Sequence, residues 1–110
     1  MVKQGTIIKI NFNPQSGHEQ AGYRPAVVIS NDVFNEKTKL SIVCPITNTD
    51  KQFPLHISLD ERTKTTGVIL CEHIKSLDLN SRTFQEVEEL PKDLLEKVIN
   101  IVFAEIEEIK

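Results

Sequence analysis

A polar stretch near the N-terminus gathers side chains suited to anion binding and proton transfer. Asn13-Pro14-Gln15-Ser16-Gly17-His18-Glu19-Gln20-Ala21-Gly22 runs directly into Tyr23-Arg24-Pro25. A guanidinium stays charged and makes paired hydrogen bonds to phosphate or carboxylate oxygens, which marks Arg24 as the anion-binding candidate. A carboxylate such as Glu19 can accept a proton, and an imidazole such as His18 titrates near neutrality. Farther along, Thr47 closes the apolar run Ser41–Ile46 with a hydroxyl that can donate to an anionic oxygen. Each has a plainer reading: Arg24 as a surface residue that caps the loop, Thr47 as a turn closer, Glu19 as a partner that orients Arg24, His18 as a solvated loop residue.

Metal chemistry has little to build on. His18, His56 and His73 are scattered, and Cys44 and Cys71 each sit inside an apolar run with no Cys-x-x-Cys spacing. The two cysteines are expected to be reduced core thiols, and neither a metal nor another cofactor is expected.

The elements that would hold these residues fit one domain spanning residues 1–110. A domain of this length is marginal alone, so dimerisation would help it. The net charge of −3 argues at first against a nucleic-acid partner. Its distribution changes that: residues 83–110 carry eight acidic and three basic side chains, whereas residues 1–82 carry ten basic and eight acidic. The acidity lies at the C-terminal end, and the rest can present a modestly positive groove. No apolar run approaches the roughly 20 residues that span a bilayer. The N-terminal Met1-Val2-Lys3-Gln4-Gly5 has no apolar signal region after its lysine, so no membrane association and a cytoplasmic location are expected.

Residues 5–12 alternate through Ile8, Ile10 and Phe12 as a half-buried strand does. The polar run at 13–22 is a loop, long for a hairpin, and long polar loops between strong strands tend to carry function. Pro25–Ser30 reads as a buried strand, Asn31-Asp32 as the start of a short helical turn through Lys37, and Leu40–Ile46 as another strand. Phe53, Leu55, Ile57 and Leu59 share one face of a further strand, Val68–Cys71 is followed by Ile74–Leu77 as its continuation, and Thr83–Val87 is a weaker strand. Residues 92–110 form an amphipathic helix with Pro91 at its first position and Leu94, Leu95, Val98, Ile101, Val102, Ile106 and Ile109 at three- and four-residue steps. Most of the six aromatic residues should be core. The fold class is therefore mostly β (α+β): a small antiparallel barrel with a C-terminal amphipathic helix.

Several blocks carry a resemblance. Gly5-Thr6-Ile7-Ile8, Asn13-Pro14, Gly17-His18-Glu19-Gln20-Ala21-Gly22-Tyr23-Arg24-Pro25-Ala26-Val27-Val28-Ile29-Ser30, Val43-Cys44-Pro45-Ile46-Thr47 and Ile74-Lys75-Ser76-Leu77-Asp78 resemble the MazF/Kid/PemK-like toxins of type II toxin–antitoxin systems, in the same order and spacing over essentially the whole chain. The resemblance implies an SH3-like barrel with a C-terminal helix that forms a homodimer. It implies a metal-independent endoribonuclease that cuts single-stranded RNA at short motifs and leaves a 2′,3′-cyclic phosphate and a 5′-hydroxyl. It also implies a MazE/PemI-like antitoxin whose acidic C-terminal segment occupies the RNA groove.

In that setting Arg24 and Thr47 are the implied catalytic pair on the phosphate, and Glu19 is either the general base or the group that orients Arg24. Gln20 shapes the loop or reads a base edge, and Tyr23 is placed to stack on a base. His18 and His73 depart from the family pattern. His18 is a solvated or base-stacking residue and is expected to be dispensable. His73 either contacts a base or is a barrel or dimer-interface histidine satisfied by hydrogen bonds. Lys75 is the next basic candidate for a phosphate contact, against a solvated lysine. Two other readings remain: a CcdB-like gyrase poison of the same fold, disfavoured because the chain has no Trp and ends Ile109-Lys110, and a catalytically silent binding barrel.

Overall fold

A computed structural model describes residues 1–12, 23–49 and 52–110. In chain order these residues form β1 (Thr6–Asn11), β2 (Tyr23–Val28), α1 (Asp32–Thr38), β3 (Ser41–Thr47), β4 (His56–Ser58), β5 (Val68–Leu70), β6 (Lys75–Leu77), a 3-10 turn at Leu79–Ser81, β7 (Phe84–Glu89) and α2 (Lys92–Ile106). All strand pairs are antiparallel, in the order β4-β5-β3-β2-β1-β7, with β6 also on β3. The expected mostly β architecture with a C-terminal helix is the one observed. No helix among the described residues is long and apolar enough to cross a membrane.

Strand alternation divides the core in two. Ile7, Val27, Cys44, Ile46 and Ile69 form one cluster with Leu94 and Val98 of α2. Ile8, Ile10, Ala26, Val28 and Val43 face the other way and pack with Val2, Phe12, Leu77 and Leu79. The central strands are therefore apolar on both faces, which explains why Ala26-Val27-Val28-Ile29 and Val43-Cys44-Pro45-Ile46 read as continuous runs. Cys44 and Cys71 are buried and free, as expected.

The helices are set by local chemistry. Asn31 Oδ1 caps α1 by accepting from the Phe34 amide at 2.8 Å, and Lys39 ends it in the left-handed region at φ 63°. Asn35 has no solvent exposure and ties α1 to the barrel. Its Nδ2 donates to the carbonyls of Val2 at 3.1 Å and Ser30 at 3.3 Å, and its Oδ1 accepts from the Ser30 hydroxyl.

Four expectations need correction. Pro91 is the residue before the first turn of α2, and its carbonyl accepts from the amides of Leu94 and Leu95. The helix stops at Ile106, because Glu105, Glu107 and Glu108 put three carboxylates at the negative end of its dipole and no basic residue lies in its last turn. Ile106 and Ile109 are consequently exposed. Phe53 and Phe103 are exposed as well, so the aromatic residues are less uniformly buried than composition suggests, and Phe53 packs edge-on against the His56 ring at 5.6 Å. Finally, β6 does continue β5 along β3, but not directly. The register moves from Ile46↔Ile69 to Val43↔Lys75, so a three-residue excursion through Cys71, Glu72 and His73 intervenes opposite Cys44-Pro45. Proline has no amide hydrogen for the ladder, and bulges are where strands accommodate it.

Candidate functional site

Arg24 lies in β2, not in the loop before it, because β2 starts two residues earlier than the apolar run does. Tyr23 pairs with Asn11 and Arg24 with Ile10 of β1. Both side chains are exposed. On the other side, β2 pairs with β3 at Ala26↔Pro45, Val27↔Cys44 and Val28↔Val43. Extending that register by two residues sets Arg24 opposite Thr47. Residues two apart on a strand share a face, so both fall on the face of Ala26 and Val28.

Thr47 is the last residue of β3 rather than the first beyond it. It pairs with Val68 of β5, and its Oγ1 accepts from the Thr49 amide at 3.1 Å. That bond fixes the rotamer and leaves the hydroxyl hydrogen to be donated elsewhere. Gly67 packs directly on this position. A Cβ at residue 67 would lie 2.3 Å from the Thr47 carbonyl oxygen, and Gly67 has φ +113°. Only the fold brings residue 67 against Thr47, since 20 residues separate them in sequence.

The β2–β3 ladder ends at Ala26↔Pro45, so the strand ends carrying Arg24 and Thr47 are held from outside instead, by β1 and β5 respectively. The exposed guanidinium of Arg24 and the buried hydroxyl of Thr47 thus sit at neighbouring strand ends on one face of the sheet. Both can donate to one anion.

Lys75 shares this face. It pairs with Val43, and its side chain is half-buried. The excursion just before it presents Glu72 and His73. Glu72 Oε2 lies 2.8 Å from His56 Nε2 and 3.8 Å from His73 Nε2. Glu72 Oε1 and His73 Nδ1 are buried and have no hydrogen-bond partner among the described residues. The His73 Nδ1 atom is thus left for a further hydrogen bond, which a base contact or a dimer-interface position would supply. The His56–Glu72 pair has no sequence signal, since 16 residues separate its members. Glu19, Gln20 and His18 lie outside the described residues.

Arg24 and Thr47, two donors at the ends of β2 and β3, fall within the blocks that carry the resemblance, and the whole-chain comparison agrees. The sequence profile of the PemK-like, MazF-like toxin of type II toxin–antitoxin systems matches residues 3–103. The chain belongs to this family. The endoribonuclease PemK of Escherichia coli is 30% identical over 102 residues, covering 89% of this chain and 77% of PemK. The crystal structure of MazF (Form-I) from Deinococcus radiodurans superposes with a TM-score of 0.89 at 36% identity, covering 96% of each chain. A MazE–MazF structure (Form-II) from the same organism matches with a TM-score of 0.82 at 30% identity, over 98% of this chain and 97% of that one. PemK/MazF-family membership thereby accounts for the fold, including the C-terminal helix.

Proposed function

We propose that this chain is a toxin endoribonuclease that cleaves single-stranded RNA without a metal. As a single cytoplasmic domain it pairs with a second copy, and a MazE/PemI-like antitoxin holds it in check by laying an acidic segment in the RNA groove. The single observation that carries the reading is the β2–β3 register, which ends at Ala26↔Pro45 and, continued by two residues, puts Arg24 and Thr47 on one face. Family membership supports it, since relatives at 30% identity or more are endoribonucleases by name.

In this reaction the 2′-hydroxyl of the substrate is the nucleophile. Its oxygen attacks the adjacent phosphorus as its proton leaves, the bond from phosphorus to the 5′-oxygen breaks, and that oxygen takes up a proton. The products are a 2′,3′-cyclic phosphate and a 5′-hydroxyl. Arg24 offers paired donors for the charge that grows on the non-bridging oxygens, and the Thr47 hydroxyl offers a third. Glu19 takes the 2′-hydroxyl proton or orients Arg24. Tyr23, Gln20, His18 and His73 read or stack on bases, and Lys75 meets a phosphate.

The test is cleavage of single-stranded RNA in EDTA with end-group analysis. Wild type should release fragments with 5′-hydroxyl ends, and Arg24→Ala should lose at least about 100-fold in rate while melting as wild type does. Arg24→Lys should recover only part of the loss, because a point charge cannot make the paired contact. Cleavage that needs a divalent ion, or survives Arg24→Ala, would overturn the reading.

A further inference from the structure

Neighbouring residues on a strand project to opposite faces. Pro25 and Asn48, next in sequence to Arg24 and Thr47, lie at the same strand ends. There they line a cleft of about 360 Å³ together with Lys9, Lys64, Thr65 and Thr66. Nothing in the reaction described above uses it.

The cleft is built on held backbone. Glu88 of β7 accepts from the Lys64 amide at 3.0 Å, the Thr65 amide at 2.8 Å and the Thr65 hydroxyl at 2.8 Å. Thr66 Oγ1 donates to Asn48 Oδ1 at 2.9 Å, so Asn48 has its Nδ2 amino group to offer. Lys9 and Lys64 bring two exposed ammonium groups. The cross-strand neighbours of Lys9 are Pro25 and Gln85, neither of them charged. Glu88 is the carboxylate near Lys64, and both its oxygens are already engaged by the 64–65 backbone and the Thr65 hydroxyl.

We propose that this cleft is a phosphate subsite for the RNA strand, taking a phosphodiester that flanks the one held between Arg24 and Thr47. Lys9 and Lys64 supply charge, while the Asn48 Nδ2 group supplies a neutral donor. The cleft lies beside the strand ends that carry Arg24 and Thr47, where the β2–β3 ladder stops at Ala26↔Pro45. A single strand of RNA carries one charge per nucleotide, so a phosphate beside the scissile one needs a counter-charge close by. Every group lining the cleft except Pro25 and Val87 is a cation, a hydroxyl or an amide, which suits a phosphodiester better than the mixed side chains of a peptide. The subsite deepens the ribonuclease reading and rests on it.

The test uses the full chain and a labelled single-stranded RNA containing one site mapped with wild type. Lys9→Gln/Lys64→Gln should raise KM about five- to tenfold with kcat within about twofold, the signature of lost uniform binding. The slope of log KM against log salt should flatten by about 0.7 for each phosphate contact removed. Lys9→Arg/Lys64→Arg should restore both. If wild type cleaves and Arg24→Ala does not, yet the double glutamine variant keeps the wild-type KM and salt slope, the subsite is refuted and the ribonuclease reading stands. If wild type fails to cleave, the ribonuclease reading falls first. If the variant instead loses affinity for a glutamate-rich peptide while KM for RNA holds, the cleft belongs to a protein partner and the proposal is likewise overturned.

Discussion

Substituting Gly67 by alanine tests whether β5 fixes the position of Thr47. Two independent costs apply. At φ +113° an L-residue occupies a sparsely populated region, which costs about 1–3 kcal/mol. The added Cβ would also sit 2.3 Å from the Thr47 carbonyl oxygen and 2.7 Å from its carbonyl carbon. Both are backbone atoms, so no side-chain rotation relieves the clash, and relaxation by backbone shift costs a further 1–3 kcal/mol or so. Together these give about 2–6 kcal/mol, a large part of the roughly 5–15 kcal/mol that stabilises a typical domain. For a chain of this length each kcal/mol moves Tm by about 4 °C, so Gly67→Ala should melt about 10–20 °C below wild type at matched protein concentration. The segment before residue 67 cannot give way easily, because Glu88 holds it at Lys64 and Thr65. The displacement therefore falls on Thr47, and RNA cleavage measured well below the melting range should drop at least tenfold. A Tm within about 3 °C of wild type, with cleavage unchanged, would show that Gly67 does not fix Thr47 in place.

Two other perturbations follow from the same contacts. Burial alone pushes the Glu88 carboxyl up, but bonds from the Thr65 amide, the Lys64 amide and the Thr65 hydroxyl outweigh it and hold the group below its ordinary value of 4.5. A carboxyl depressed on folding stabilises the native state above its unfolded pKa and ceases to do so as pH falls through the folded one. The Tm gap between wild type and Glu88→Gln should thus be largest near neutrality and close on acidification below about 4.5; a gap that widens in acid would contradict the assignment. Burial, followed by the charges of Glu105 and Glu72, pushes the Cys71 thiol up to about 12, and burial with the nearby Cys71, Glu105 and Glu72 pushes Cys44 higher still. Ellman's reagent at pH 8 should label neither cysteine in the folded protein and both after denaturation, and rapid labelling of the native chain would refute this packing.

Much of the fold was legible because its signals are local. The alternation of Ile8, Ile10 and Phe12 foretold β1, and the steps through Leu94, Val98 and Ile101 foretold α2. What escaped depends on pairing between distant residues. Tyr23 and Arg24 look like loop because nothing apolar marks them, and they become strand only through their partners Asn11 and Ile10. The run from Val68 to Leu77 looks like one strand, because the excursion at Cys71–His73 is dictated by Pro45 on a different strand. The site divides in the same way. Residue chemistry and the family blocks nominated Arg24 and Thr47, whereas their common face, the contact of Gly67 with Thr47, and the His56–Glu72 pair arise from register alone.

Those non-local features share a cause. Pro25 lacks the amide hydrogen that would continue the β2–β3 ladder, whereas the amide hydrogen that Pro45 lacks lies on the β5–β6 side of β3. A fully zipped ladder would close the edges that Arg24 and Thr47 now line, and an anion could not lie between them. With the ladder cut short, each strand end has to be held from its outer side, and that is what the Ile10↔Arg24 and Thr47↔Val68 pairings do. Gly67 is the consequence: β5 must approach Thr47 closely enough to hold it, and only a residue without a side chain permits that approach. Pro25 ends the ladder and Gly67 secures the Thr47 side, so the residues that make this surface suited to gripping a phosphodiester include two that cannot themselves take part in the chemistry.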